Sequence, residues 1–239
     1  MANKPFQFKE FSIAQDKCAM KIGTDGVLLG AWVTIPPTAN SILDIGAGTG
    51  IISLMLAQRS DIELIDALEI DDDAFEQATE NFENSPWGDR LFCYHAGFDE
   101  FVDEMQGEKY DLIVSNPPFF PSNESLETTS RETARFQFAL PFEELTKGVA
   151  SLLSEDGHFC IILPKEAEQS FLELAASNYL FPNKITEVKG NAEAKVKRSL
   201  IDFSFQQKEI ERKVLVLEES RHHYTPEYRK MVEAFYLKL

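Results

Sequence analysis

Ser41-Ile42-Leu43-Asp44-Ile45-Gly46-Ala47-Gly48-Thr49-Gly50 joins a short apolar run to a turn that contains three glycines. The apolar run predicts a buried strand, and residues 51–57 after the turn, which read IISLMLA, predict a helix. Because glycine has no Cβ, such a turn can reverse the chain tightly and let a ligand approach its backbone. The stretch therefore predicts the first strand, turn and helix of an α/β fold.

Similar apolar runs alternate with amphipathic segments along the rest of the chain. The predicted strands are residues 41–45, 64–69, 91–95, 111–115, 159–163, 199–205 and 213–217. The predicted helices are residues 26–32, 51–57, 72–84 and 142–153, the last of them ended by Asp156-Gly157, with a further helix after Thr225-Pro226. This alternation predicts parallel βαβ units, and so an open, doubly wound, seven-stranded and mostly parallel sheet with helices on both faces. We expect one domain over residues 1–239, made of an N-terminal extension (1–40), a core (41–205) and a C-terminal strand and helix (206–239).

The composition argues against several classes of protein. Hydrophobic residues make up 44% of the chain, and no apolar stretch approaches the ~20 residues that a membrane span needs. The first residues lack the apolar segment of a secretion signal. Three scattered cysteines, Cys18, Cys93 and Cys160, have neither disulfide-framework nor metal-ligand spacing. The sequence therefore predicts a cytoplasmic protein without a membrane segment or a bound metal, and it carries no signal for an oligomeric state.

The net charge of −17 is unevenly distributed along the chain. Residues 1–129 carry 7 basic and 23 acidic side chains, whereas residues 130–239 carry 16 basic and 17 acidic side chains. The C-terminal part contains a basic run, which we define as Lys195, Lys197 and Arg198. A polyanion could dock there, because phosphate contacts come mainly from Lys and Arg. The alternative is a solvated surface of mixed charge.

Two acidic residues accompany the glycine turn. Asp44 precedes Gly46 by two residues, where its carboxylate can bind the ammonium of an amino-acid moiety, directly or through water. Glu69 ends the second predicted strand, where it can accept hydrogen bonds from both hydroxyls of a ribose. Since ligands of open α/β sheets bind at the carboxyl ends of the strands, this pattern favours S-adenosylmethionine as the cofactor. A nicotinamide is the alternative, although its usual Gly-x-Gly-x-x-Gly spacing differs from Gly-x-Gly-x-Gly.

The tetrapeptide Asn116-Pro117-Pro118-Phe119 follows the fourth predicted strand. Two prolines without amide donors end a strand, so a rigid turn is one interpretation. A chemical interpretation is that the Asn116 side-chain oxygen and the Pro117 carbonyl accept the two hydrogens of a conjugated amino group. Phe119 offers an aromatic face on which a base can stack. Together with the glycine turn, the tetrapeptide favours methyl transfer to a planar amino nitrogen.

The glycine turn, Glu69 and the tetrapeptide, in this order, resemble class I S-adenosylmethionine-dependent methyltransferases that act on amino groups, which implies their Rossmann-like fold. A more specific resemblance runs almost end to end. It rests on residues 8–11, 18–32, 85–87, 131–135 and 234–237, which read FKEF, CAMKIGTDGVLLGAW, SPW, RETAR and AFYL. This set is similar to the bacterial tRNA1(Val) (adenine37-N6)-methyltransferase family. The resemblance implies methylation of N6 of adenine 37, beside the anticodon of tRNA.

The resemblance also implies contacts to the cofactor. Thr24 and Asp25 are expected to close over its methionine end. Relatives often place an Asp after the third strand to hold the adenine amino group, but this chain has Gly97 there. Backbone groups of Gly97 and Phe98, with Ile70 as an apolar wall, are therefore expected to contact the adenine.

Arg131 and Arg135 are expected to contact tRNA phosphates, together with the basic run. They lie four residues apart, and so on one face of any helix formed there. The alternative is an ordinary surface face that pairs with nearby acids.

Three other functions stay open at the level of sequence. The same tetrapeptide would serve a methyltransferase that acts on a protein glutamine or on another nucleic-acid base. A cofactor-binding RNA scaffold with vestigial activity is a second alternative, which the intact Asn116 and Phe119 disfavour. A nicotinamide oxidoreductase is the third.

Overall fold

The computed structural model describes residues 4–118 and 140–238, and all statements about structure refer to these two ranges. The strands are β1 (Phe6–Gln7), β2 (Ser12–Ile13), β3 (Ser41–Ile45), β4 (Leu64–Glu69), β5 (Leu91–His95), β6 (Tyr110–Ser115), β7 (Leu153–Pro164), β8 (Phe181–Asn191), β9 (Val196–Ser204), β10 (Glu211–Ser220) and β11 (His223–Tyr224). The helices are α1 (Thr24–Trp32), α2 (Ile51–Arg59), α3 (Asp72–Glu83), α4 (Phe98–Glu104), α5 (Phe142–Leu152), α6 (Glu168–Ser177) and α7 (Pro226–Val232), with a 3₁₀ turn at Lys165–Ala167.

One mixed sheet holds nine of the strands in the described ranges, in the order β5-β4-β3-β6-β7-β9-β8-β10-β11. The first five strands in this order, from β5 to β7, are parallel to one another. β9 is antiparallel to both β7 and β8, β10 is parallel to β8, and β11 is antiparallel to β10. The mostly parallel α/β sheet is confirmed. The predicted number of seven strands is wrong, because the prediction lacks β8 and β11.

β8 has a sequence that does not indicate a strand. Charged residues such as Lys184 and Glu187 interrupt its apolar positions. Ile185 and Val188 are nevertheless buried, and they pack in two different apolar cores, one on each face of the sheet. Backbone pairing with β9 on one side and β10 on the other completes the strand. The neighbouring strands therefore decide this element, as is common for strands whose own propensity is weak.

Helices cover both faces of the sheet, as the sequence predicts. On one face, α1, α2, α3 and α7 contribute Leu28, Leu54, Phe82 and Val232 to a core. On the other face, α4, α5 and α6 contribute Phe101, Val149 and Phe171. The predicted helix 142–153 agrees with α5 to within one residue, but Asp156-Gly157 do not end it, because they lie inside β7, which begins directly after α5. Within the described ranges, no helix has the length and apolarity that crossing a membrane requires.

Residues 4–23 pack against both the core and the C-terminal part of the chain. β1 and β2 form a short antiparallel hairpin, and Phe8 forms an isolated backbone bridge with Tyr236. Beyond the hairpin, Asn81 of α3 accepts a hydrogen bond from the Ala14 amide at 2.8 Å and donates to the Ala14 carbonyl at 3.0 Å. These contacts bring the segment that precedes α1 to the carboxyl ends of the strands.

Candidate active site

The carboxyl ends of neighbouring parallel strands meet at one edge of the sheet. Ile45, the last residue of β3, pairs with Leu68 of β4 on one side and with Ser115 of β6 on the other. The glycine turn and Asn116 therefore leave the sheet at the same level. This is the edge at which open α/β sheets bind their ligands.

The glycine turn has a backbone conformation that favours glycine. Gly46, Gly48 and Gly50 have φ angles of 78°, 56° and 77°, which lie in the left-handed region. A Cβ added at Gly46 or Gly48 would meet no atom within 4 Å, so these two positions border open space. At Gly50 an added Cβ would lie 2.4 Å from Phe82 Cε1, so packing of α3 also requires this glycine. Gly46 and Gly48 therefore allow a ligand to approach the backbone.

Asp44 is fully buried directly before the turn. Its Oδ2 accepts hydrogen bonds from Ser53 Oγ at 2.7 Å and Ser53 N at 3.2 Å, whereas Oδ1 has no hydrogen-bond partner among the described residues. Burial raises the pKa of Asp44 to about 6; the bonds from Ser53 oppose this shift and the charge of Glu69 adds to it. A buried carboxylate oxygen without a partner would be stabilised by a cationic ligand group.

Glu69 ties the glycine turn to the end of β4. Its Oε2 accepts a hydrogen bond from Gly48 N at 2.7 Å, and its Oε1 accepts from Ile70 N at 2.9 Å and Asp71 N at 3.0 Å. Burial raises the pKa of Glu69, and the three backbone bonds oppose this shift. Because a carboxylate has about four acceptor sites, Glu69 can also accept from the hydroxyls of a ligand.

A cavity of about 290 Å³ opens at this edge of the sheet. Its walls bring together most of the predicted site, namely Gly46, Gly48, Glu69, Ile70, Gly97, Phe98, Asn116 and Pro117. The described residues of the walls do not include four others that the sequence assigns to the cofactor, namely Thr24, Asp25, Asp44 and Gly50.

The first turn of α1 lies against Asn116. A Cβ added at Gly26 would lie 3.9 Å from Asn116 Nδ2 and 3.1 Å from Ile51 Cγ2, the first residue of α2. Thr24 is exposed, and Asp25 Oδ2 accepts a hydrogen bond from Arg198 Nε at 2.8 Å. The start of α1 thus borders the tetrapeptide, and its acidic side chain is engaged by a residue of the basic run.

The basic run lies at the same edge of the sheet as the cavity. Because β9 is antiparallel to β7, Arg198 near its start pairs with Pro164 at the end of β7. Lys195 and Lys197 are exposed and form no ion pair with any residue of 4–118 or 140–238. The remaining predicted contacts to substrate, Phe119, Arg131 and Arg135, lie outside the described residues.

Thiol and metal chemistry find no support in the part of the chain that the structure describes. No cluster of metal-ligating side chains is present there. Burial raises the pKa of Cys18 to about 12 and that of Cys93 to about 12, so both thiols are protonated at neutral pH.

Comparison with known proteins identifies the family. Residues 26–171 match the family model of the Methyltransferase small domain. A tRNA1(Val) (adenine(37)-N6)-methyltransferase from Christiangramia forsetii is 62% identical over 240 aligned positions, which cover 100% of both chains. The chain belongs to the tRNA1(Val) (adenine(37)-N6)-methyltransferase family. Proteins of the same name from Flavobacterium psychrophilum and Bacteroides fragilis are 56% and 46% identical, and the alignments cover 98% and 100% of this chain and 100% of each relative.

Solved structures confirm the class I methyltransferase fold of this family member. A predicted O-methyltransferase from Agrobacterium tumefaciens has a TM-score of 0.69 at 16% identity, over 88% of this chain and 96% of that one. A ribosomal protein L11 methylase from Lactobacillus delbrueckii has a TM-score of 0.53 at 17% identity, over 77% of both chains. At these identities the likeness concerns the fold alone.

The cavity fits S-adenosylmethionine, the cofactor of this methyltransferase. Gly46 and Gly48 leave space beside their backbone, as a closely bound ligand needs. Glu69 presents a carboxylate in the cavity wall, where ribose hydroxyls can donate to it. Asp44, whose Oδ1 has no hydrogen-bond partner among the described residues, lies directly before the glycine turn, although it is not part of the cavity wall. Methyl transfer, rather than the hydride transfer of a nicotinamide enzyme, is therefore the chemistry of this family member.

The cavity wall of this methyltransferase also contains residues that sequence reasoning missed. They are Cys18, Ala19, Met20, Asp71, Ala74, Asp99, Leu140, Pro141 and Glu144, among others. A Cβ added at Gly97 would lie 2.8 Å from Asp99 Oδ1, so Asp99 supplies a carboxylate beside the position where the resemblance led us to expect an Asp. The acidic pair Asp99-Glu100, directly after the third predicted strand, was the available signal. Cys18 and its neighbours reach the cavity through tertiary contacts of the N-terminal segment, for which no local pattern exists.

Proposed function

We propose that this chain transfers the methyl group of S-adenosylmethionine to N6 of adenine 37 in tRNA1(Val), in the cytoplasm. The observation that carries the proposal is the position of Asn116 and Pro117 in the wall of the cavity that also contains Gly46, Gly48 and Glu69. One cavity therefore offers groups for the cofactor and for an amino nitrogen side by side. The names of relatives up to 62% identical support the choice of substrate.

Cofactor binding follows from the acidic groups around the glycine turn. Bound S-adenosylmethionine supplies a methyl group on a positively charged sulfur, which is already activated for transfer. Glu69, whose carboxylate is held by Gly48 N, accepts hydrogen bonds from the ribose hydroxyls. Asp44 Oδ1 accepts from the ammonium group, directly or through water. These contacts orient the cofactor at the carboxyl edge of the sheet.

Asn116 and Pro117 make the target nitrogen reactive. The lone pair of the adenine amino group is delocalised into the ring, so the free base is a weak nucleophile. When Asn116 Oδ1 and the Pro117 carbonyl accept the two N–H groups, they orient the lone pair towards the methyl group and stabilise the positive charge that develops on nitrogen. The same acceptors hold the surplus proton until it passes to water. Phe119 stacks on the face of the base.

The raised pKa of Asp44 predicts a pH dependence of cofactor binding. The carboxyl of an unfolded Asp has a pKa of about 3.9. Between about pH 4 and pH 6 the ligand-free folded protein therefore binds more protons at Asp44 than the unfolded protein does. Its free energy of unfolding falls as pH rises through this range. Binding of the ammonium group requires the ionised form. Affinity for S-adenosylhomocysteine, which keeps that group, should therefore weaken as pH falls below about 6.

Calorimetry of wild type and Asp44→Asn between pH 5 and pH 8 is the measurement. The variant should bind weakly at all pH values, with a flatter profile below pH 6. Identical profiles for the two proteins would remove Asp44 from the cofactor site.

Lys195 and Lys197 are expected to contact the tRNA backbone. Both are exposed at the edge of the sheet that carries the cavity, although residues 1–129 are strongly acidic. Replacing both with Gln should weaken tRNA binding and lower the slope of log K against log salt concentration by roughly one to two. Lys208→Gln with Lys213→Gln is a matched control, because these exposed lysines lie near the start of β10 at the opposite edge. An unchanged slope for Lys195 and Lys197 would make this part of the basic run a solvated surface.

Nucleoside mass spectrometry tests the proposed function itself. Unmodified tRNA incubated with the protein and S-adenosylmethionine should yield N6-methyladenine at position 37 of tRNA1(Val). A different methylated base would keep the chemistry and change the substrate. Label found only in a protein glutamine would select that alternative, and cofactor binding without any methyl transfer would select the RNA scaffold.

A further inference from the structure

Arg198 and Asp25 join two parts of the chain that are far apart in sequence. Arg198 Nε donates to Asp25 Oδ2 at 2.8 Å, and the two side chains are 34% and 29% exposed. A second nitrogen of the guanidinium, Nη1, donates to the Lys197 carbonyl at 3.0 Å. The side chain of Arg198 is therefore oriented by its own strand as well as by Asp25.

The start of β9, where Arg198 lies, is held in place by several hydrogen bonds. The buried Ser199 Oγ donates to the buried Glu168 carboxylate. Lys165 Nζ donates to the same carboxylate at 2.7 Å, and Arg212 Nη1 donates to it at 3.3 Å. Backbone pairing with β7 and β8 continues through Arg198 itself. Ser199, next to Arg198, is thus fixed by its hydrogen bond to the ion-paired Glu168 carboxylate and by backbone pairing with two neighbouring strands.

The start of α1, in contrast, has weak local determinants. Its N-cap is Gly23, which has no side chain to accept a hydrogen bond from the first turn. The first backbone bond of the helix, from Val27 N to Gly23 O, is long at 3.4 Å. The other end is held by Arg59, which donates to the Gly30 and Val33 carbonyls at 2.7 and 2.8 Å. Arg198 adds a tertiary contact to this first turn, which has few local ones.

The first turn of α1 contacts Asn116 and the start of α2. Gly26, one residue after Asp25, lies against Asn116 and Ile51. A Cβ added at Gly26 would lie 3.9 Å from Asn116 Nδ2 and 3.1 Å from Ile51 Cγ2. Ile51 begins the helix that directly follows the glycine turn. A shift of this turn would therefore displace the Asn116 side chain, which is assigned to the target amino group, and also the glycine turn that precedes Ile51.

We propose that Arg198 is a positioning residue, which holds the first turn of α1 against Asn116 through Asp25. The role rests on the proposed function, and it differs from the phosphate contact that the sequence predicts for Arg198. Lys195 and Lys197, on the same strand end, are free to bind RNA. Arg198 then connects the edge of the sheet that binds RNA with the position of the Asn116 side chain.

A mutant cycle separates positioning from phosphate binding. The proteins are wild type, Arg198→Ala, Asp25→Ala, the double variant and Asp25→Asn, which keeps an oxygen acceptor for Nε. Lys195→Ala is the control for loss of one cation from the same strand end. Each is measured for kcat and KM with tRNA at saturating cofactor, for the salt dependence of tRNA binding, and for amide hydrogen exchange of residues 24–27.

Positioning predicts that both alanine variants lower kcat by roughly tenfold, since small displacements near reacting groups have effects of this order or larger. The double variant should fall no further than the singles, because residues in contact are not additive. Exchange of residues 24–27 should accelerate, and the salt slope should be unchanged for Arg198→Ala. Asp25→Asn should lose less of the rate than Asp25→Ala, because it keeps an acceptor for Arg198 Nε.

Three outcomes would overturn the positioning role. The first is a higher KM and a salt slope lower by about one for Arg198→Ala, as expected of Lys195→Ala, with wild-type behaviour of Asp25→Ala. The second is additive losses in the double variant. The third is wild-type exchange of residues 24–27 in Arg198→Ala. Failure of the proposed function would look different, because wild type itself would then form no N6-methyladenine in tRNA while the exchange measurement still reports on α1.

Discussion

Replacing Asn116 with alanine is expected to lower the rate of methyl transfer by roughly 10²–10³, the usual effect of removing one group that stabilises transition-state charge. The amide oxygen is the acceptor that polarises the target amino group, and its contact strengthens as the nitrogen becomes positive. Affinity for the cofactor should change little, because Gly46, Gly48 and Glu69 remain in the cavity wall. Single-turnover methylation of unmodified tRNA at saturating cofactor measures the effect.

Two controls accompany the Asn116 variant. Calorimetry with S-adenosylhomocysteine shows whether the cavity is intact, and thermal unfolding shows whether the fold is. Asn84→Ala removes an exposed amide from the end of α3, which lies outside the cavity wall, and it should react at the wild-type rate. A near-normal rate for Asn116→Ala would contradict an amino-methyltransferase mechanism.

Replacing Glu69 with alanine is expected to weaken S-adenosylhomocysteine binding by roughly 10- to 150-fold, since one charge-assisted hydrogen bond contributes about 1.5–3 kcal/mol. The ribose loses its acceptor. In addition, the amides of Gly48, Ile70 and Asp71 lose the carboxylate that accepts from them, so the glycine turn is less well ordered before the cofactor binds.

Asp73→Ala is the matched control for this loss of charge. Asp73 is an exposed acid in the first turn of α3, close in sequence to Glu69. Calorimetry should give nearly wild-type affinity for Asp73→Ala and weak binding for Glu69→Ala. Equal, small effects in both variants would mean that only the general negative charge of this region matters.

Local sequence patterns predicted the strands that are mostly apolar. The buried strands β3, β4 and β6 are largely apolar runs, although each contains one Asp, so their position follows from hydrophobicity. β8 does not follow this rule, because its burial and its hydrogen bonds come from β9 and β10, which join the sheet later in the chain. Asp156-Gly157, a good helix-ending pair by composition, lies within β7 rather than at the end of α5.

The candidate site shows the same division. Gly46, Gly48, Glu69 and Asn116 follow strands directly, so their meeting could be predicted from the rule that parallel strands end at one edge. Arg198 was predicted from its charge to bind RNA, yet its partner Asp25 lies 173 positions earlier in the chain. The sequence shows that Arg198 is positively charged, but it does not show which acidic residue will pair with it.

The sequence by itself determined the order of strands and helices, the glycine turn, the acceptor that follows β6 and the family, because each of these is written in residues that are neighbours along the chain. Only the tertiary structure decided that the N-terminal segment supplies Cys18 to the cavity wall and that Arg198 reaches Asp25 at the start of α1. The physical reason is that these contacts arise from the packing of segments against each other. Their energies depend on burial and partner geometry, which exist only after the sheet has formed.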